Sequence, residues 1–333
     1  MPVIIGRREL IAALGGVAVW PLSARAQQAG IVPRVGILWI APQPVVMPFH
    51  EAFRQGLREL GYVEGQTIFV EGRFAGGKVE LLPGLAEELV RLKAAVIVAP
   101  ATPTVQALKQ ATTTIPIVMA NVSDPVGFGF VTSLRRPGGN ITGLSNLMIE
   151  QVGKNAELCK EAIPGLSRLA VLVNPAAPDG AVVLKEAQEA ARTLGFHVDS
   201  VEARQPDDLE RAVAQASGQR SDALLVSTIE GFFFANRNRI IDATIKHQLP
   251  AVFAAPPFEL VKSGALLAYG ANTPDMLRRA AGYVDKLLKG AKPADLPVEQ
   301  PTKFELGVNL KTAKTIGISI PQSILVRADE VVE

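Results

Sequence analysis

The sequence predicts an α/β protein of two similar lobes, each a parallel sheet with helices on both faces, joined by three crossovers. Short continuous Val/Ile/Leu runs alternate with longer stretches of helical period, the pattern of buried parallel strands covered by helices. The series is also written twice. Arg34 and Arg168, Leu60-Gly61-Tyr62 and Leu194-Gly195-Phe196, and Ile115-Pro116-Ile117-Val118 and Leu249-Pro250-Ala251-Val252 all stand 134 residues apart. Finally, 333 residues at 48% hydrophobic composition supply core enough for two domains.

In the first series Val35–Ile40 is apolar throughout and predicts a strand. Phe49, Phe53, Leu57 and Leu60 recur at helical spacing until Gly61 stops them. Strands follow at Thr67–Phe74, Ala95–Ala99 and Ile115–Ala120, with helices at Leu81–Leu92 and Thr104–Ala111 between them. The second series has strands at Leu169–Val173, Val198–Val201, Ala223–Val226, Ala251–Ala254 and Ala265–Tyr269. Its helices are Val182–Leu194, Leu209–Gln215 and Asn236–His247. Gly138–Gly143, Ala271–Pro274 and Gln300–Thr302 read as crossovers, because the helix Met276–Leu288 and the tail Leu306–Ile318 must still be packed. The expected lobes are 31–143 with about 273–300, and 144–272 with about 303–333. Repeated crossing makes a hinge and turns the carboxyl ends of both sheets toward one cleft, where open α/β sheets bind ligands.

Residues 1–26 read as an export leader: Arg7-Arg8, an apolar stretch from Leu10 to Trp20, Pro21, and Ala24-Arg25-Ala26 at a cleavage point. Gly6-Arg7-Arg8-Glu9-Leu10-Ile11 is similar to a twin-arginine motif, which directs a chain to the periplasm. The leader carries Arg7, Arg8 and Arg25 against Glu9, so the whole-chain charge of +2 falls to zero from Gln27 onward. A neutral mature chain without a basic stripe argues against nucleic acid. No later window is long enough to span a membrane, and the single Cys159 offers neither a disulfide framework nor a lipid anchor. His50, His197 and His247 are too scattered for a metal site. Gly72–Val79 has the spacing of a phosphate loop but Val79 where the hydroxyl belongs, and no nucleophile elbow is present. No cofactor is expected.

The candidate binding residues are the polar and aromatic side chains just after strands. In the first lobe these are Trp39, Thr102, Thr104, Ser123 and Asp124. Thr102 and Thr104 open a helix, where hydroxyl and N–H groups either hold a carboxylate or only cap the helix. Asp124 either accepts a ligand amine or turns the chain ahead of Pro125. The second lobe adds Asn174, Thr228, Glu230, Phe232, Pro256 and Tyr269. Phe232-Phe233-Phe234 stands out in a chain with 5% aromatics, and at least one ring is expected in the cleft. One apolar wall, a carboxylate cradle and an acid describe a pocket for a zwitterionic amino acid.

The chain resembles the extracytoplasmic solute-binding proteins of ABC importers, in the group of tryptophan- and tyrosine-type binding proteins. The resemblance runs from Arg7-Arg8-Glu9-Leu10-Ile11 through Gly56-Leu57-Arg58-Glu59-Leu60-Gly61-Tyr62-Val63-Glu64-Gly65, Asp124-Pro125-Val126 and Arg136-Pro137-Gly138-Gly139-Asn140-Ile141-Thr142-Gly143. It continues through Leu172-Val173-Asn174-Pro175, Lys292-Pro293-Ala294-Asp295-Leu296-Pro297-Val298 and Gln300-Pro301-Thr302-Lys303-Phe304-Glu305-Leu306. It implies a fold of the type I periplasmic-binding kind, closing on a small solute and passing it to a membrane permease without catalysis; a monomer is expected. The family's ligand contacts map by position onto the loops at Thr102, Asp124, Asn174 and Thr228. Two other readings fit the same scaffold: a sensor presenting its lobes to a membrane receptor, and an exported enzyme using Asp124 and Glu230 as acid and base.

Overall fold

The computed structural model describes residues 32–228, 231–255 and 257–333. The leader expected at 1–26 lies outside them, and so do Glu230 and Pro256.

The chain runs β1 (Arg34–Trp39), α1 (Gln43–Glu59), β2 (Phe69–Phe74), α2 (Leu82–Arg91), β3 (Val96–Ala99), α3 (Thr102–Ala111), β4 (Ile117–Val122) and β5 (Ile141–Ser145). These strands form one parallel sheet in the order β2-β1-β3-β4-β5. After α4 (Gln151–Ala162) come β6 (Arg168–Val173), α5 (Pro178–Leu194), β7 (His197–Glu202), α6 (Leu209–Gly218), β8 (Ala223–Ser227) and α7 (Gly231–Ala235). Then follow α8 (Arg237–Lys246), β9 (Ala251–Ala254), α9 (Pro257–Lys262) and β10 (Leu267–Ala271). In the second sheet β7-β6-β8-β9-β10 repeats the order of the first, strand for strand. That is the topological meaning of the offset in the sequence.

The chain passes between the sheets three times. It leaves the first after β5 and returns with α10 (Thr273–Leu288), which packs on α1 so tightly that a Cβ on Gly56 would lie 2.3 Å from the Arg278 carbonyl oxygen. Tyr62 ties the same helix down by donating its hydroxyl to Asp285 at 3.0 Å. The Glu299 N–H and carbonyl bond to Gly143 and Ser145 of β5 before the chain goes back as β11 (Phe304–Asn309). Short α11 (Leu310–Thr315), α12 (Gln322–Leu325) and β12 (Glu330–Val332) complete the second sheet's edge.

Two expectations need correction. Gly138–Gly143 is not a crossover: Ile141–Ser145 is the fifth strand of the first sheet, and the crossing follows Ser145. The second sheet is not wholly parallel, because β11 lies antiparallel to β10. Parallel strands run toward the cleft, whereas β11 enters from the cleft and must run away from it.

Each sheet is buried on both faces, and successive residues alternate between two cores. In the first lobe Val35, Ile37, Val96 and Val98 face α1 and α10, while Leu38, Ile97, Ile117 and Met119 face α2 and α3. In the second, Leu169, Val171 and Val252 lie on one side and Ala170, Leu172, Leu224 and Phe253 on the other. Each sheet thus has its own pair of cores, and three passes of the chain join them.

Candidate functional site between the lobes

Strands β1 to β10 all end toward the cleft, so the loops after them meet there. A pocket of about 80 Å³ lies among the end of β1 (Leu38–Ala41), Pro100 and Ala101 ahead of α3, Asn121 on β4 and Met148 in the first crossing. Thr228, Gly231 and Phe234 close it from the second lobe, with Thr273 at the start of α10. That volume holds a few waters. The lobes touch around it: a Cβ on Gly231 would stand 2.7 Å from Ile40 Cγ2, and the ring of Phe234 packs on Phe49 with centroids 5.8 Å apart. Phe234 belongs by sequence to the second lobe yet sits against the first lobe's core.

The walls are mainly apolar and their polar atoms are turned aside. The Trp39 indole N–H donates to His50 Nδ1 at 3.3 Å, a bond that requires a neutral acceptor nitrogen. Burial, and then the Arg54 guanidinium, hold the His50 imidazole below its ordinary pKa and keep it neutral. The Arg237 guanidinium lies over Phe234 at 4.7 Å and donates to that residue's carbonyl at 3.0 Å. Asn146, in the first crossing, gathers the rim. Its Oδ1 accepts from the Ser123 hydroxyl at 2.7 Å and the Met148 N–H at 2.9 Å, and its Nδ2 donates to Asn121 at 3.0 Å. Thr273 Oγ1 is buried without a partner among the described residues.

Of the residues expected from sequence, Trp39 and Thr228 line the pocket. Thr228 holds its strand end in place, its hydroxyl donating to the Ala254 carbonyl at 3.2 Å. Thr102 and Thr104 are buried at the head of α3, and Thr104 is spent on the helix start: it accepts from the Ala101 N–H at 3.2 Å and donates to the Ala101 carbonyl at 2.7 Å. Of the N–H groups at this helix start only that of Thr102 is unengaged among the described residues. Ser123 serves the Asn146 network. Asp124 folds onto its own turn at φ +37°, its Oδ1 accepting from the Gly127 N–H at 2.8 Å. Asn174 accepts from the Ala176 N–H at 3.0 Å. Phe232 packs against the second lobe's core, and Tyr269 stacks on Phe304 with centroids 6.0 Å apart, away from the pocket lining.

Phe49, Asn121, Met148, Gly231, Phe234 and Thr273 line the pocket without having been singled out. Phe234 carried a signal, as the third of three rings. Phe233 is the core member at 2% exposure, and one helical step turns Phe234 outward. Met148 and Asn121 become visible only once the first crossing is placed after β5.

Among the described residues no group of three His, Cys, Asp or Glu could hold a metal ion, and no helix is long and apolar enough to cross a membrane. The family model described as ABC transporter substrate binding protein matches residues 34–332. The chain belongs to that family. Its members are binding proteins rather than enzymes, they act outside the cytoplasm, and membership implies a small-molecule ligand and an ABC permease as partner. The tyrosine-binding protein of Clostridioides difficile is 26% identical over 282 residues, covering 85% of this chain and 80% of that protein. A conserved domain protein from Vibrio cholerae superposes with a TM-score of 0.84 at 29% identity, over 90% of this chain and all of the other. An ABC domain from Streptococcus pneumonia in complex with L-Trp gives 0.82 at 25% identity, over 91% of this substrate-binding protein and all of that chain.

Proposed function

We propose that this substrate-binding protein captures a small solute, an amino acid or a related small carboxylate, in the cleft and closes on it by hinge rotation for delivery to an ABC importer. One observation carries the reading: the two lobes meet through Gly231 and Ile40, and through Phe234 and Phe49, around an apolar pocket. A ligand that touches both lobes favours the closed state by the difference in its contacts between the two states.

The amino acid assignment is supported by relatives described as binding tyrosine and L-Trp, and by the ring-lined wall of Trp39, Phe49 and Phe234. At the head of α3 the Thr102 N–H is left for a carboxylate, since the Ala101 N–H is taken by Thr104, Pro103 has none, and the Thr104 and Val105 N–H groups bond to the Ala101 carbonyl. Arg7-Arg8 and the apolar stretch that follows support export to the periplasm by the twin-arginine route. The chain acts as a monomer.

A thermal-shift screen of amino acids, small carboxylates, nucleosides and sugars tests this. A ligand at 100 times its Kd adds about 2.7 kcal/mol, so a true solute raises the midpoint clearly. A shift by a sugar or nucleoside with none from any amino acid or carboxylate contradicts the reading.

A further inference from the structure

In the second lobe lies a void of about 10 Å³, lined by Asn174, Asp179 and Ser227 together with Leu172, Val183 and Phe233. It is the size of one water, or of one ammonium nitrogen. It occupies the carboxyl ends of β6 and β8, which are neighbours in the second sheet. Ser227 immediately precedes Thr228, a lining residue of the cleft pocket.

Two of its polar lining residues are unusual. Asp179 is 2% exposed and Ser227 4%, and among the described residues neither Asp179 Oδ1 nor Ser227 Oγ has a hydrogen-bond partner. No ion pair of Asp179 is found among the described residues either. Burial pushes its carboxyl up to about 6, with no cation among the described residues to oppose the shift. A buried carboxylate without a counter-charge is costly, although its place in the first turn of α5 offers it some favourable helix dipole. Such a cost is sustained where a ligand supplies the missing charge.

We infer that this void receives the protonated amine of the solute, with Asp179 as its counter-charge and Ser227 Oγ as a second acceptor. The inference rests on the reading of the cleft as an amino acid site. An ammonium group brings three donors and a positive charge, so it satisfies both orphan oxygens and neutralises the acid. A water of the same size would satisfy the oxygens and leave the charge uncompensated. Asp124, the acid expected from the sequence, is engaged by its own turn. Asp179 thus becomes the specificity residue that separates an amino acid from its deaminated analogue, a discrimination that buried polar groups make strongly.

The test compares the full chain with its Asp179→Asn variant in titrations with the proteinogenic L-amino acids and with the deaminated acid of each. The expected result is a loss of about 100-fold in amino acid affinity and a change under about 3-fold for the deaminated acid. The ligand-free variant should melt no lower than wild type at about pH 7.5, since the substitution removes an unpaired buried charge. Equal losses for the two ligands overturn the inference, and so does a ligand-free variant that melts several degrees lower, because the carboxylate then serves the fold. If wild type binds deaminated acids but no amino acid, the amine site falls and the cleft reading stands. Binding of neither class overturns the cleft reading and this inference with it.

Discussion

Gly231 of the second lobe and Ile40 of the first meet across the cleft, and a Cβ built on Gly231 would lie 2.7 Å from Ile40 Cγ2. A branched side chain there presses on Ile40 at the margin of the first lobe's core and holds the lobes apart. Gly231→Val should therefore weaken ligand binding by about tenfold or more and leave the saturated protein with a larger radius of gyration by small-angle scattering than saturated wild type. Wild-type affinity together with a wild-type radius would show that closure does not pass through this contact.

Phe234 couples the lobes from the other side of the pocket, through Phe49 and the Arg237 guanidinium. Truncation to alanine removes a wall and an interlobe ring contact together. Phe234→Ala should cost about 1 to 3 kcal/mol of binding free energy, read by calorimetry. Phe232→Ala, on the second lobe's own core, should instead lower stability and spare affinity.

Acid should reach the pocket through His50. Its imidazole is held below 6.5 in the folded chain, so the neutral form contributes stability that is present above the unfolded value and lost as pH falls through the folded one. In a Trp20→Phe background Trp39 is the sole tryptophan. Its emission should change on acidification with a midpoint below 6.5, and His50→Phe should abolish that step. A midpoint at or above 6.5 would contradict the neutral acceptor.

Asp124 is assigned to a turn. Asp124→Ala loses the bond to the Gly127 N–H and places a less tolerant residue at φ +37°, a cost of about 1 to 2 kcal/mol in denaturant unfolding. Asp124→Asn keeps both features and should stay within about 0.5 kcal/mol. Neither should alter the preference for an amine over its deaminated analogue; a selective loss would return Asp124 to the binding site.

The architecture was legible because it is written in periodicity. Continuous apolar runs mark strands buried on both faces, and the offset shared by Arg34 and Arg168 reappears as one strand order in two sheets. The fifth strand was missed because Ile141–Ser145 follows a glycine-rich turn and contains Gly143, which lowers its resemblance to a strand. Helix α1 begins six residues before the expected Phe49 because Pro48 is tolerated inside it, forfeiting only the bond to the Pro44 carbonyl. The site was half legible. Sequence places Trp39 and Thr228 at strand ends but does not say that Thr104 caps its own helix, nor that Phe234 crosses to the other lobe. Asp179 escaped notice for a like reason: an acid in the first turn of a helix is ordinary until its burial is known.

Trp39 forms part of the pocket wall, which makes its fluorescence the most direct reporter of ligand in the cleft. In the Trp20→Phe chain, titration with amino acids other than tryptophan and with small carboxylates should give a saturable change for at least one of them, at one site per chain, weakened by Phe234→Ala. Saturable binding of a solute by calorimetry with no response from Trp39 would place the ligand elsewhere and contradict the account.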